Sequence, residues 1–143
     1  MIQLTRRYRF AASHRLHSPA LSEEANDRLY GKCNNPHGHG HDYILEVTAR
    51  GPVEPESGLM MRTAALDELV ERGVLSRFRQ SNLNDAPAFQ GATVPTTENL
   101  VEEIERRLRE GWREAFAGPW PVLDRIRIQE TKRNVFEVTV NQQ

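Results

Sequence analysis

Along residues 2–14 apolar and polar positions alternate. Ile2, Leu4, Tyr8, Phe10 and Ala12 share one period-2 face, which predicts a strand half buried against a core. Residues 39–50 repeat the pattern, with Tyr43, Leu45, Val47 and Ala49 on one face and Asp42, Glu46, Thr48 and Arg50 on the other. Between them, residues 15–38 keep no period and are rich in Asn, Pro and Gly, which predicts a long loop. After the turn GPVEPESG, Leu66, Leu69 and Val70 predict a helix from Thr63 to Gly73, and residues 76–95 read as irregular. Leu100, Val101, Ile104, Leu108 and Trp112 then form the buried stripe of a long amphipathic helix that starts near Thr96. Thr96 suits the N-cap, and Glu98, Glu102 and Glu103 suit the positive end of the helix dipole. GPWP ends that helix. Two closing strands follow, at 122–131 with Ile126 and Ile128, and at 134–141 with Phe136, Val138 and Val140. The order predicts an α+β fold: a four-stranded antiparallel sheet with two helices on one face, in a single domain over 1–143.

Composition narrows the class. The 143 residues are 38% hydrophobic and 27% charged, which is ordinary for a globular protein large enough to bury a core. A net charge of −1 shows no basic excess and argues against a nucleic-acid or membrane-surface partner. No apolar run approaches the ~20 residues of a membrane span. MIQLTRRYRF, with its three arginines, does not read as a secretory signal. Cys33 is the single cysteine, which points to a reducing, cytoplasmic setting and leaves a free thiol to be explained.

The chemistry lies where the strand faces end. The apolar face of the first strand runs on from Phe10 and Ala12 to His14, and that of the second runs back from Tyr43 to His41 and His39. A histidine on a half-buried face is costly unless its ring nitrogens find partners. Two histidines two residues apart on one strand point the same way, and a third from the neighbouring strand completes the three-nitrogen set of a catalytic zinc site with an open fourth position. His37 lies on the same period-2 register, so spacing alone leaves open whether it replaces His41.

Four stretches, FAASHRL (10–16), GKCNNPHGHGHDY (31–43), PTTENL (95–100) and QET (129–131), occur in one order across nearly the whole chain. In these the sequence resembles the 6-pyruvoyl-tetrahydropterin synthase family. The resemblance implies zinc held by His14, His39 and His41, because the family pattern runs HGH, one residue, then an aromatic, here Asp42 and Tyr43. In the related 6-carboxytetrahydropterin synthases the HGH pair lies two residues closer to the cysteine. His37 and His39 fit that spacing but lack the aromatic, so the resemblance is closer to the pyruvoyl-type branch. It further implies the tunnelling fold, in which sheets of three subunits form a barrel and two trimers stack into a homohexamer with active sites between subunits. The implied reaction is elimination of triphosphate from 7,8-dihydroneopterin triphosphate, with rearrangement of the side chain.

By the same resemblance Cys33, in a polar loop with Asn34, Asn35 and Pro36, matches the family's proton-abstracting cysteine. Glu130, which ends the face of Ile126 and Ile128, matches the anchor of the pterin ring, since a carboxylate can accept two parallel N–H bonds from an aminopyrimidine edge. Thr97 and Glu98 match a segment near the pterin pocket, although capping and dipole roles explain them nearly as well. The chain departs from the family pattern ahead of SNLNDAP (81–87). Arg79 and Gln80 stand where members carry an Asp-His pair that shares proton transfer with the cysteine, and Arg62 stands where many carry aspartate. Neither arginine nor glutamine can relay a proton at neutral pH. The added positive charge is expected to hold Cys33 as thiolate or to grip a phosphorylated or carboxylated ligand. Alternative readings are an aldolase-like or carboxy-type reaction on the same pterin, or a non-catalytic pterin-binding paralogue.

Overall fold

A computed structural model of the chain describes residues 1–140. The two alternating segments form β1 (Ile2–His14) and β2 (His39–Gly51), paired antiparallel from Ile2 opposite Gly51 to His14 opposite His39. Between them lie α1 (Glu23–Tyr30) and a 3-10 turn, Gly31–Asn34. The expectation of a featureless loop over 15–38 is thus corrected. Ser22 caps α1 by accepting from the Ala25 N–H at 3.1 Å, and Glu23 and Glu24 occupy its first turn. The helix escaped the periodic reading because its one buried residue is the polar Asn26.

α2 (Thr63–Val70) does not stop at Gly73. It continues through a π-helical turn, Glu71–Leu75, into α3 (Ser76–Phe78), because Val74, Leu75 and Phe78 prolong its buried face. α4 (Thr97–Ala115) follows, with Thr96 accepting from the Asn99 N–H at 3.1 Å as N-cap. The two long helical segments pack closely: a Cβ on Gly111 of α4 would lie 2.6 Å from Leu69 Cδ1 of α2.

The sheet has five strands rather than the expected four, in the order β3–β1–β2–β4–β5. The additional one, β3 (Ser81–Asn82), runs parallel to Ala12 and Ser13 of β1, so the sheet is not wholly antiparallel. Two residues carry no detectable period, and the segment 76–95 therefore reads as irregular. β4 (Val122–Gln129) and β5 (Val135–Thr139) complete the sheet, each shorter than expected; residue 141 of the last expected strand lies outside the described residues. α2 and α4 cover one face, and the core between them and the sheet holds Phe10, Leu45, Val47, Leu66, Ile104 and Ile126. The other face is polar. There Arg7, Glu46, Arg127 and Glu137 pair in succession across β1, β2, β4 and β5 at 3.1, 3.8 and 3.5 Å.

Two measurements follow. Ile104 is fully buried, and Ile104→Ala is expected to cost about 2–5 kcal/mol in urea unfolding. On the helix-facing side of β1, Asp67 of α2 accepts from Arg6 at 2.6 and 3.2 Å and from the Tyr8 hydroxyl at 2.7 Å. Those bonds, Arg6 foremost, hold its carboxyl below the ordinary value. Its contribution is therefore present above the unfolded carboxylate range and is lost as pH falls through the lower folded value. The stability gap between wild type and Asp67→Asn should close as the protein is titrated below about pH 4.

Candidate functional site

The register of β1 on β2 assembles the site. His14, the last residue of β1, lies directly opposite His39, the first of β2, and His41 lies opposite Ala12. Alternation turns all three rings to the helix-covered face. Their centroids are 4.9, 5.0 and 4.7 Å apart, with each pair nearly perpendicular. His39 Nε2 and His41 Nε2 approach to 2.9 Å, and one nitrogen from each of the three rings lies within 4.8 Å of the others. His14 is 1% exposed; its Nδ1–H donates to the Pro95 carbonyl at 2.9 Å, which leaves Nε2 buried without a protein partner. Burial, foremost, lowers the pKa of His14 and of His39, so both rings are kept as neutral imidazoles. Three imidazoles converging on one point, with a buried bare nitrogen among them, form a set able to hold a divalent metal. His37 is exposed and outside the set, its N–H turned to Asn35 Oδ1. The choice that spacing left open falls to His39 and His41.

The turn into β2 depends on Gly38. Its φ is +70°, its N–H donates to the Asn35 carbonyl at 2.8 Å, and a Cβ there would meet the His14 carbonyl oxygen at 3.0 Å.

Cys33 lies in the 3-10 turn after α1, with Sγ 3.7 Å from His39 Nε2. Burial, and after it the negative charge of Glu130, push its thiol up. Among the described residues the expectation that added positive charge holds it as thiolate is not met. Arg79 is turned to solvent in a two-point ion pair with Glu71 at 3.1 and 2.6 Å, and Arg62 is exposed where α2 begins. Gln80, at φ 51°, donates its backbone N–H to the Ala11 carbonyl at 2.6 Å. It lines a shallow pocket of about 400 Å³ with Ser13, Gly40, His41 and Asp42.

Glu130 follows β4 and accepts a hydrogen bond from the hydroxyl of Thr97, which is 2% exposed. Thr97 is thus drawn inward, whereas Glu98, beside it in the first turn of α4, faces solvent. After burial, the negative charge of Glu130 is a further cause that raises the pKa of Cys33 and Tyr43 and works against the lowering at His14 and His39. Tyr43, fully buried, stacks on Phe10 at 5.1 Å and meets the His41 ring at 5.6 Å. Burial pushes its phenol up.

Sequence reasoning missed the Pro95 carbonyl that orients His14. Backbone acceptors have no residue-type signature.

Comparison with known proteins gives concordant results. A profile described as 6-pyruvoyl tetrahydropterin synthase matches residues 3–141. The 6-pyruvoyl tetrahydrobiopterin synthase of Homo sapiens is 40% identical over 134 residues, covering 93% of this chain and 88% of the human one. That of Drosophila melanogaster is 39% identical over 132 residues, covering 92% of this chain and 76% of the fly protein. The solved structure of the Caenorhabditis elegans 6-pyruvoyl tetrahydropterin synthase superposes with a TM-score of 0.86 at 35% identity, covering 98% of this chain and 96% of that one.

Gly38→Ala, which forces a side chain into positive φ against the His14 carbonyl, is expected to lose about 1–2 kcal/mol in urea unfolding and to weaken metal binding. Gly40→Ala should cost less, since its Cβ would lie an ordinary 3.8 Å from the Ala12 carbonyl oxygen.

Proposed function

The chain belongs to the 6-pyruvoyl tetrahydropterin synthase family, and on that footing we propose that it is a zinc-dependent pterin lyase that eliminates triphosphate from 7,8-dihydroneopterin triphosphate. The observation that carries the reading is the convergence of His14, His39 and His41 beside Cys33, with Glu130 within electrostatic reach. These residues fit zinc: the donors are imidazole nitrogens, a buried one has no other partner, and three ligands leave a position open. A zinc ion held there would supply Lewis acidity toward the side-chain oxygens of the substrate.

The remaining work falls to the chain. Glu130 binds the ring, its carboxylate accepting paired N–H bonds from the aminopyrimidine edge while Thr97 fixes the rotation of that carboxylate. The hydrogen bond from His14 to Pro95 sets that ring's tautomer and presents Nε2 inward. Cys33, half-buried, gives and takes the proton at Sγ. Burial and the charge of Glu130 push its thiol up, and an added positive charge at the site would favour the thiolate. Glu98 has at most a peripheral part, since it faces solvent.

The same reading takes 1–143 as one domain and assembles it through its sheet edges into the barrelled hexamer. β3 covers only Ala12 and Ser13 of β1, and β5 ends the sheet on the other side, so edge backbone is left for another subunit. No helix among the described residues is long and apolar enough to cross a membrane. A second reading rests on Arg79 and Gln80. With one paired to Glu71 and the other unable to titrate, an aldolase-like cleavage of the same substrate, or binding without turnover, demands less proton relay from this chain.

Zinc-loaded protein given dihydroneopterin triphosphate should release triphosphate. Cys33→Ala should slow release by about 10²-fold or more while leaving pterin binding in place, and Glu130→Gln should act mainly on KM. Product of aldolase mass would favour the second reading, and binding without release would mean that no lyase is present.

A further inference from the structure

We propose that Asn84 is a positioning residue of the site, holding His14 and Cys33 in their mutual geometry through the backbone of Arg15. The ladder between β3 and β1 ends after Ser13 paired with Asn82. Beyond it the chain turns away at Leu83–Asp85, a turn set by Asn82 Oδ1 accepting from the Asn84 N–H at 3.0 Å. The side chain of Asn84 then does what the strand no longer can. Its Oδ1 accepts from the Arg15 N–H at 2.7 Å, and its Nδ2 donates to the Arg15 carbonyl at 2.8 Å. A side-chain amide carries the same donor and acceptor as a peptide group, so this contact is a further rung laid beside β1 just past its end.

The rung falls at the junction of the site. Arg15 follows His14. Its guanidinium Nε donates to the Asn34 carbonyl at 3.0 Å, and the next residue, Leu16, donates its N–H to the Cys33 carbonyl at 2.7 Å. Asn34 answers by donating Nδ2 to the Leu16 carbonyl at 2.7 Å. Residues 14–16 therefore run between Asn84 on one side and the Cys33–Asn34 turn on the other, and Arg15 touches both. Leu83, fully buried, supplies the packing of this turn; Asn84 supplies hydrogen bonds to backbone groups that would otherwise lack them. Outer residues that orient a metal ligand typically carry 10–100-fold in metal affinity.

The inference rests on the reading of His14, His39 and His41 as a metal site, and the test separates the two. Cobalt(II) is titrated into wild type, Asn84→Ala and Asn84→Asp, and the rate of Cys33 alkylation by iodoacetamide is measured on the metal-free proteins. Asn84→Ala should bind cobalt about 10-fold more weakly or worse, and its Cys33 should be alkylated faster. Asn84→Asp keeps the acceptor for the Arg15 N–H and loses the donor, so it should fall between Ala and wild type on both scales. Asp67→Asn, which breaks the Arg6–Tyr8–Asp67 network elsewhere on β1, should lower stability and leave cobalt affinity unchanged. If Asn84→Ala does not fold, the near-isosteric Asn84→Asp decides. Wild-type values for both readouts in a folded Asn84 variant overturn the proposal, as does an Asp variant no better than Ala. A wild-type protein that takes up no cobalt overturns the metal-site reading instead, and the alkylation rates then decide the role of Asn84.

Discussion

The antiparallel register of β1 on β2 is the constraint from which the rest follows. Paired from Ile2 opposite Gly51 to His14 opposite His39, it puts Phe10, Ala12, Tyr43, Leu45 and Val47 on one face, and the same alternation carries His14, His39 and His41 onto that face at its end. A slip of one residue would turn every one of these side chains over. It would expose the core and scatter the imidazoles in the same step, so the apolar burial that stabilises the sheet also holds the site together. The site needs no special strain to exist; it is the polar continuation of a hydrophobic stripe.

Where the strands stop, side chains take over from backbone pairing. The segment between His14 and Cys33 has few apolar anchors and is held by asparagine amides. Asn26, fully buried, accepts from the Ser18 N–H at 2.7 Å and donates to the carbonyls of Ser18, Leu21 and Ser22 at 3.0–3.3 Å. Asn34 and Asn84 brace residues 15 and 16 from either side. These amides add hydrogen bonds to backbone groups of a segment through which no hydrophobic period runs.

The two faces of the sheet divide the labour. One packs on α2 and α4 and ends in the histidines, Cys33 and Glu130. The other carries alternating charges paired across four strands, a surface suited to stay wet. Arg79 belongs to solvent as well, its positive charge tied to Glu71.

The long strands, the amphipathic α4 and the clustering of His14, His39 and His41 were legible in the sequence, because period-2 and helical stripes report directly on burial and because ligand chemistry restricts residue type. Glu130 was singled out only by likeness to a family. Tertiary structure decided what depends on partners distant in the chain. It left His37 exposed outside the histidine cluster, turned Thr97 inward and Glu98 outward, supplied the Pro95 carbonyl to His14, and added α1 and β3. Capping asparagines, backbone acceptors and two-residue strands leave no periodic trace. Their energies come from pairing groups that only the folded chain brings within reach.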